Sequence, residues 1–375
     1  MVEEEEDEED GNVGKNPANG GGTWRTIAGV LSASSLLFTT GLAAPTTTTN
    51  ITVHQPNVAF FPTPLPAPGA ASHFEAIIEQ FNRLGRTTVW NLVKKVKFEG
   101  DTGEPEGMVN IGEERYILGG GQWTNKTVSY GKNVVINGTD RTPGSGYAHL
   151  TVYDGQGKLI ADATLTKPDA LEYHIGGIEY DGQKVWATIA QYRPNTTATI
   201  VSVDPETLAD QPVFHYADHL GGIVHDTQAQ KLSTLNWGAR NASVWDLNGP
   251  PACPYPEFSQ PKSVARNPSY FVDYQDCKFL GYSSVYAGRP TMMCSGVATY
   301  SNNVTVGAVA IVDTETMVPY SEVPLTMMSD LGTPITQNPF DVALVDGKMR
   351  LYFLPDQRNS TLYVYEAEEN SPYEY

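Results

Sequence analysis

From Val89 to Glu366 the chain is built of short runs in which apolar and polar positions alternate, each bounded by Gly, Pro, Asn or Asp. A period of two residues belongs to a strand with one buried face, so the pattern predicts many short strands joined by tight turns. One stretch departs from it. Across Ser72 to Leu84 the apolar residues Phe74, Ile77, Ile78 and Phe81 fall at helical spacing, which predicts one short amphipathic helix ahead of the sheet region.

The strand pattern also repeats. HIGGIEYD, starting at His174, recurs 45 residues later as HLGGIVHD, starting at His219. Looser copies begin at Glu104 (EPEGMVNI) and Asn338 (NPFDVALV), and a more distant one at Tyr274 (YQDCKFLG). Each start is followed by an apolar strand that ends in an acid, at Asp154, Asp204, Asp246, Asp313 and Glu366. Five starts and five ends predict an all-β protein, a β-propeller of five four-stranded blades. The last blade runs short of an outer strand, whereas Val89 to Phe98 alternates like a strand and stands without a partner. This N-terminal strand is expected to complete the final blade and close the ring, which removes an exposed sheet edge. A sixth, diverged blade within 107–154 or 247–275 is the alternative.

In a propeller the innermost strand of every blade begins at one mouth of the central channel, so equivalent start residues converge on the axis. Here they are Glu104, His174, His219, Gln275 or Asp276, and Gln337 or Asn338. Imidazole, carboxylate and amide oxygen can ligate one divalent metal ion, with His174, His219, Glu104, Asp276 and Asn338 as the donor set. Alternatively His174 or His219 serves as a general base, since imidazole titrates near neutrality. The bland reading is a polar ring that only caps a water-filled channel. Arg193 and Arg240 follow hairpins of successive blades at similar offsets, beside Tyr192 and Trp237. They are candidates either to grip a substrate carboxylate or phosphate or to stack on those neighbouring rings. The paired glycines after each His are expected to let the backbone turn tightly near the axis. No nucleophile elbow, nucleotide-binding glycine signature, H-E-x-x-H or C-x-x-C occurs, which takes weight from the mechanisms those motifs serve.

Composition agrees with short strands and turns, for the 375 residues include 20 Tyr, 35 Gly and 26 Pro. The formal charge is -19, and residues 1 to 10 hold eight acids and no base. So acidic a chain repels phosphate backbones, which argues against nucleic acid as a partner. Residues 1–25 read as a disordered acidic tail and 26–44 as a signal-peptide-like segment ending in small residues, or else as a membrane anchor. Residues 45–70, rich in Pro and Thr, are expected to form an extended stem, and 71–375 the propeller domain. Seven N-x-S/T sites at Asn50, Asn125, Asn137, Asn195, Asn241, Asn303 and Asn359 point to a secreted glycoprotein. Of the three cysteines, Cys277 and Cys294 share a repeat and are the expected disulfide, leaving Cys253 free.

At HIGGIEYDGQKVWATIAQYRPN, DHLGGIVHDT, NWGAR, NPSYFVDYQDCKFLG, TQNP and STLYVYEA the chain resembles an uncharacterised family of exported fungal and bacterial proteins, a domain of unknown function. The similarity spans residues 85–368; it implies a propeller-like fold and carries no activity. Two functions fit these features. One is an extracellular enzyme acting on a small molecule at the channel mouth, of hydrolase, lactonase or cyclase type. The other is a monomeric, non-catalytic module that binds a glycan or a protein.

Overall fold

In the computed structural model the described residues are 48, 50–85, 87–249, 257–268, 272–300 and 304–368. The acidic tail, the signal-like segment, Cys253 and Asn303 lie outside them. Strand β1 (Asn50–Val53) and strand β2 (Trp90–Lys97) flank two short helices, α1 (Gly69–Ser72) and α2 (Phe74–Phe81). The first blade holds β3 (Glu104–Ile111), β4 (Arg115–Asn125), β5 (Ser145–Asp154) and β6 (Leu159–Thr164). The second holds β7 (His174–Tyr180), β8 (Val185–Ala190), β9 (Ala198–Val203) and β10 (Asp210–Tyr216). The third runs from β11 (Leu220–Asp226) through β12 (Lys231–Asn236) and β13 (Asn241–Asp246) to β14 (Ser263–Arg266). In the fourth are β15 (Asp273–Ser283), β16 (Arg289–Thr299), β17 (Thr305–Asp313) and β18 (Pro319–Leu325). The fifth contains β19 (Phe340–Val345), β20 (Lys348–Phe353) and β21 (Thr361–Ala367).

Each blade is an antiparallel meander, and the inner strands β3, β7, β11, β15 and β19 pack side by side round the axis, with β19 returning to β3. Ring closure follows the sequence expectation. β2 pairs antiparallel with β21, from Trp90 opposite Ala367 to Lys97 opposite Thr361, and becomes the outer strand of the fifth blade. The acid that ends the third strand has a local cause in four blades. Its carboxylate accepts the backbone N–H groups of the next turn, as Asp154 does from Gln156 and Lys158 (both 2.9 Å) and Asp313 from Glu315 and Thr316 (both 2.8 Å). Asp204 does the same for Glu206 and Thr207, and Asp246 accepts from the Asn248 N–H at 3.0 Å, so this polar side chain initiates the hairpin to the fourth strand.

The core is divided among the seams between blades. Val109, Ile117 and Leu150 of the first blade meet Ile175, Ile178 and Val185 of the second. Met108, Tyr116 and Leu118 meet Tyr352, Leu362 and Val364 at the seam that closes the ring. A fully buried aliphatic or aromatic side chain contributes roughly 1.5–3 kcal/mol, so each seam is a substantial share of the stability. Cys277 and Cys294 stand opposite each other on β15 and β16 and form the expected disulfide. Bridging so short a loop contributes about 3 kcal/mol in the chain-entropy account.

Three expectations need correction. The six-bladed alternative is excluded among the described residues, because 107–154 supplies only β3 to β5 and a long loop, while five sheets complete the ring. Two short helices stand where one was expected: α2 carries all four spaced apolar residues, α1 precedes it across His73, and Ile77, Ile78 and Phe81 are buried against Phe340, Leu351 and Phe353 of the last blade. The Pro- and Thr-rich segment is not a free stem. β1 adds a fifth strand to the outer edge of the first blade by pairing with β6, Phe61 is buried against Tyr180, and the Tyr180 hydroxyl donates to the Pro66 carbonyl at 2.8 Å. Proline-rich composition weakens internal packing, but it leaves a chain free to lie along a sheet built by other residues.

Candidate functional site

The strand starts do converge. Glu104, His174, His219, Gln275, Gln337 and Asn338 line one cavity of about 220 Å3 at a mouth of the channel. Four of the five inner strands carry a register shift just after their start, between Pro105 and Gly107, Ile175 and Ile178, Leu220 and Gly222, and Tyr274 and Asp276. Such a bulge bends the strand and re-aims its side chains. The glycines answer a different need from the tight turn expected of them, for none of Gly176, Gly177, Gly221 and Gly222 has a positive φ. Instead, a Cβ on Gly176 would lie 2.3 Å from the Gly221 carbonyl oxygen, and one on Gly177 2.6 Å from Oδ1 of Asp276.

His174 and His219 are buried with ring centroids 5.7 Å apart. His219 Nδ1 lies 2.7 Å from the Gln191 carbonyl oxygen. A carbonyl only accepts, so the proton sits on Nδ1 and Nε2 carries the lone pair. His174 Nδ1 is buried without a hydrogen-bond partner among the described residues. Burial, reinforced by His219, pushes the His174 pKa well below the ordinary value; burial also lowers that of His219 to about 4, against the opposing pull of the Gln191 carbonyl and Asp218. Both shifts favour the neutral ring.

Facing them are carboxyl groups shifted the other way. Burial, with the charges of Glu104, Asp273 and Asp276, holds Glu106 well above the carboxylate range. Asp273 is raised to about 6 by burial, partly offset by Arg240. Glu104 is raised by burial too, although Gln357 donates to it at 3.0 Å. Aromatic rings finish the wall: Tyr192 is 4.6 Å from His174 and Trp237 is 4.8 Å from His219, centroid to centroid. Trp237 sits in the turn after β12, which needs Gly238 at φ 66°. The guanidinium of Arg141, from the loop between β4 and β5, covers both rings at 5.4 and 4.6 Å and is held by Asp140.

Other candidates stand elsewhere. Arg193 bonds twice to the side-chain oxygen of Gln191, at 3.0 and 2.7 Å, and so braces the residue that fixes His219. Arg240 is half-buried and acts on Asp273 through its charge. Asp276 lies below the cavity as a hub across the axis. It accepts from Lys278 (2.7 Å), from the Met108 N–H of the first blade and from the Phe340 N–H of the fifth (3.1 Å each), while Lys278 reaches the Ile178 carbonyl of the second at 2.8 Å. With Asp276 occupied in this way, the expected metal set does not come together: among the described residues no three His, Cys, Asp or Glu side chains are placed to hold a metal ion. Sequence reasoning missed Glu106, Asp273, Gln357 and Arg141. A signal existed for Glu106, which replaces the first glycine of the H-x-G-G starts. Arg141 comes from a loop with no repeat to align.

A ring of five antiparallel blades with a polar cavity at one mouth defines a five-bladed β-propeller. The chain belongs to the family of unknown function DUF6454, which it matches over residues 65–370. No curated protein matches the sequence. Solved structures similar to it include a glucose dehydrogenase (12% identity, 71% of this chain and 83% of that one, TM-score 0.36). A luciferin-regenerating enzyme is similar at 9% identity, with 75% of this chain and 95% of that one covered and a TM-score of 0.40. The tail fibre of Staphylococcus aureus phage P68 is similar at 9% identity over 78% of this chain and 56% of that one, TM-score 0.40.

Proposed function

We propose that the channel mouth is the active site of an enzyme that hydrolyses a small ester or lactone by general acid–base catalysis. The observation that carries this reading is one cavity lined by two imidazoles, His174 and His219, whose pKa burial lowers, and by Glu106, whose pKa burial raises. Opposed shifts of this kind separate a base from an acid. In the reaction, His174 takes a proton from water as the water oxygen bonds to the substrate carbonyl carbon. Glu106 gives its proton to the departing alkoxide as the C–O bond breaks, so the products are an acid and an alcohol, and the proton on His174 then passes to Glu106 through water to reset the site. His219, its tautomer fixed by Gln191, holds the neighbouring ring wall. Secretion and N-glycosylation belong to the same proposal, supported by the disulfide and by exposed Asn side chains at five sequons.

Proton release measured across a panel of esters and lactones tests the reading. Turnover by the natural sequence should fall about 10²- to 10⁴-fold in both His174→Ala and Glu106→Gln, with the melting temperature kept. A ligand that occupies the cavity yet is never turned over would instead favour the non-catalytic binding module.

A further inference from the structure

Resting on the reading of the cavity as a substrate site, we propose that its ligand is a neutral, polyhydroxylated ring of monosaccharide size. The size follows from the volume of about 220 Å3, below the roughly 300–1,000 Å3 usual for drug-sized ligands. The class follows from what the walls can and cannot satisfy. Anionic ligands are disfavoured, since Glu104 and Asp273 line the cavity and no Lys or Arg does. Organic cations are disfavoured because the faces of Tyr192 and Trp237, where a cation would rest, already carry the guanidinium of Arg141. An apolar ligand would leave buried polar groups unpaired. One such group is a donor: Nδ2 of Asn338, whose residue is 3% exposed, has no partner among the described residues. A buried donor left unpaired costs about 1–3 kcal/mol. An alkylammonium cannot supply the acceptor it needs, whereas a hydroxyl can accept from Asn338 and at once donate to an imidazole nitrogen or a carboxyl oxygen. Trp237 also lines the cavity, with the Arg141 guanidinium over its ring.

The test is calorimetric titration of the full chain with three sets of probes: neutral aldoses and cyclic polyols, simple alkylamines, and gluconate. At least one neutral polyol should bind, the amines should not, and gluconate should bind more weakly than glucose. Asn338→Asp exchanges the donor for an acceptor in the same shape, at a φ of 64° that Asp tolerates, and should weaken polyol binding about tenfold or more. Trp237→Ala, at a half-buried position that β pairing does not use, should weaken it as well and serves if the first variant does not fold. Binding of amines without polyols, or of no probe in the panel, overturns the proposal. Binding is read without turnover, so the two readings fail separately. A polyol that binds and is never converted sinks only the enzyme, and a non-hydroxylated ester converted by a chain that binds no polyol sinks only this inference.

Discussion

Gly176 and Gly222 belong to the two copies of one repeat, yet they meet different neighbours. A Cβ on Gly176 would fall 2.3 Å from the Gly221 oxygen and 2.5 Å from its carbonyl carbon, both backbone atoms of the adjoining inner strand. Neither can move unless β7 and β11 spread apart. On Gly222 the nearest atom would be Leu235 Cδ1 at 3.5 Å, an ordinary contact. Gly176→Ala should therefore cost about 3 kcal/mol or more in urea unfolding, and Gly222→Ala roughly 1 kcal/mol or less. Equal costs would mean that the inner strands do not approach as described.

The inner strands also bring buried acids together around Lys278. Burial raises Asp341 to about 7 and Asp276 to about 6, Lys278 and backbone N–H groups opposing it in both cases, and Glu179 is raised well above the usual range by burial. An unfolded chain has these carboxyls near 4. Between pH 4 and 7 the folded chain then binds more protons than the unfolded one, so the stability they contribute is complete below about pH 4 and declines as pH rises through 6 and 7. On the acid side two other acids work in the opposite sense. Burial opposes ionisation of Asp181 and Asp313, but hydrogen bonds from His225, Lys184 and Trp186 to the first, and from Arg289 and Tyr320 to the second, hold both at about 2. Their contribution is lost as pH falls from about 4 towards 2. His174 and His219, whose pKa burial lowers, oppose the hub acids between about pH 4 and 6.5, so the test is differential: the change in melting temperature from pH 5 to 8 should include a smaller loss in Asp341→Asn than in the natural sequence. An equal change in the two would show Asp341 to be ionised throughout.

For the whole molecule, the ring leaves sequons in unequal settings. Asn50, Asn125, Asn137, Asn195 and Asn359 are exposed, whereas Asn241 is half-buried at the start of β13, opposite Arg266. If the protein is exported as proposed, intact mass before and after glycosidase treatment should reveal glycans on the exposed group and none at Asn241. An exported chain with all of these asparagines bare would count against glycosylation. Closure by β2 is likewise a property of the whole. It joins residues near 90 to residues near 367, hides the edge of β21, and makes the five seams a continuous circle.

How much was legible in the sequence depends on the distance over which each signal acts. Blade count, strand period, the acid-initiated turns and the Cys277–Cys294 pair are written in local alternation and repetition, because antiparallel hairpins are built by neighbours in the chain, and the closing strand showed as an alternating run left without a neighbour to pair with. The residues that enter the cavity are not. A bulge moves a strand's faces by one residue, which sent Gln275 to the mouth and Asp276 to the axis. Glu106 and Asp273 acquired their shifted acidity, and Arg141 its seat over two rings, only when separate blades met. Alternation specified the ring; the facing of side chains across it was decided by packing between strands far apart in the sequence.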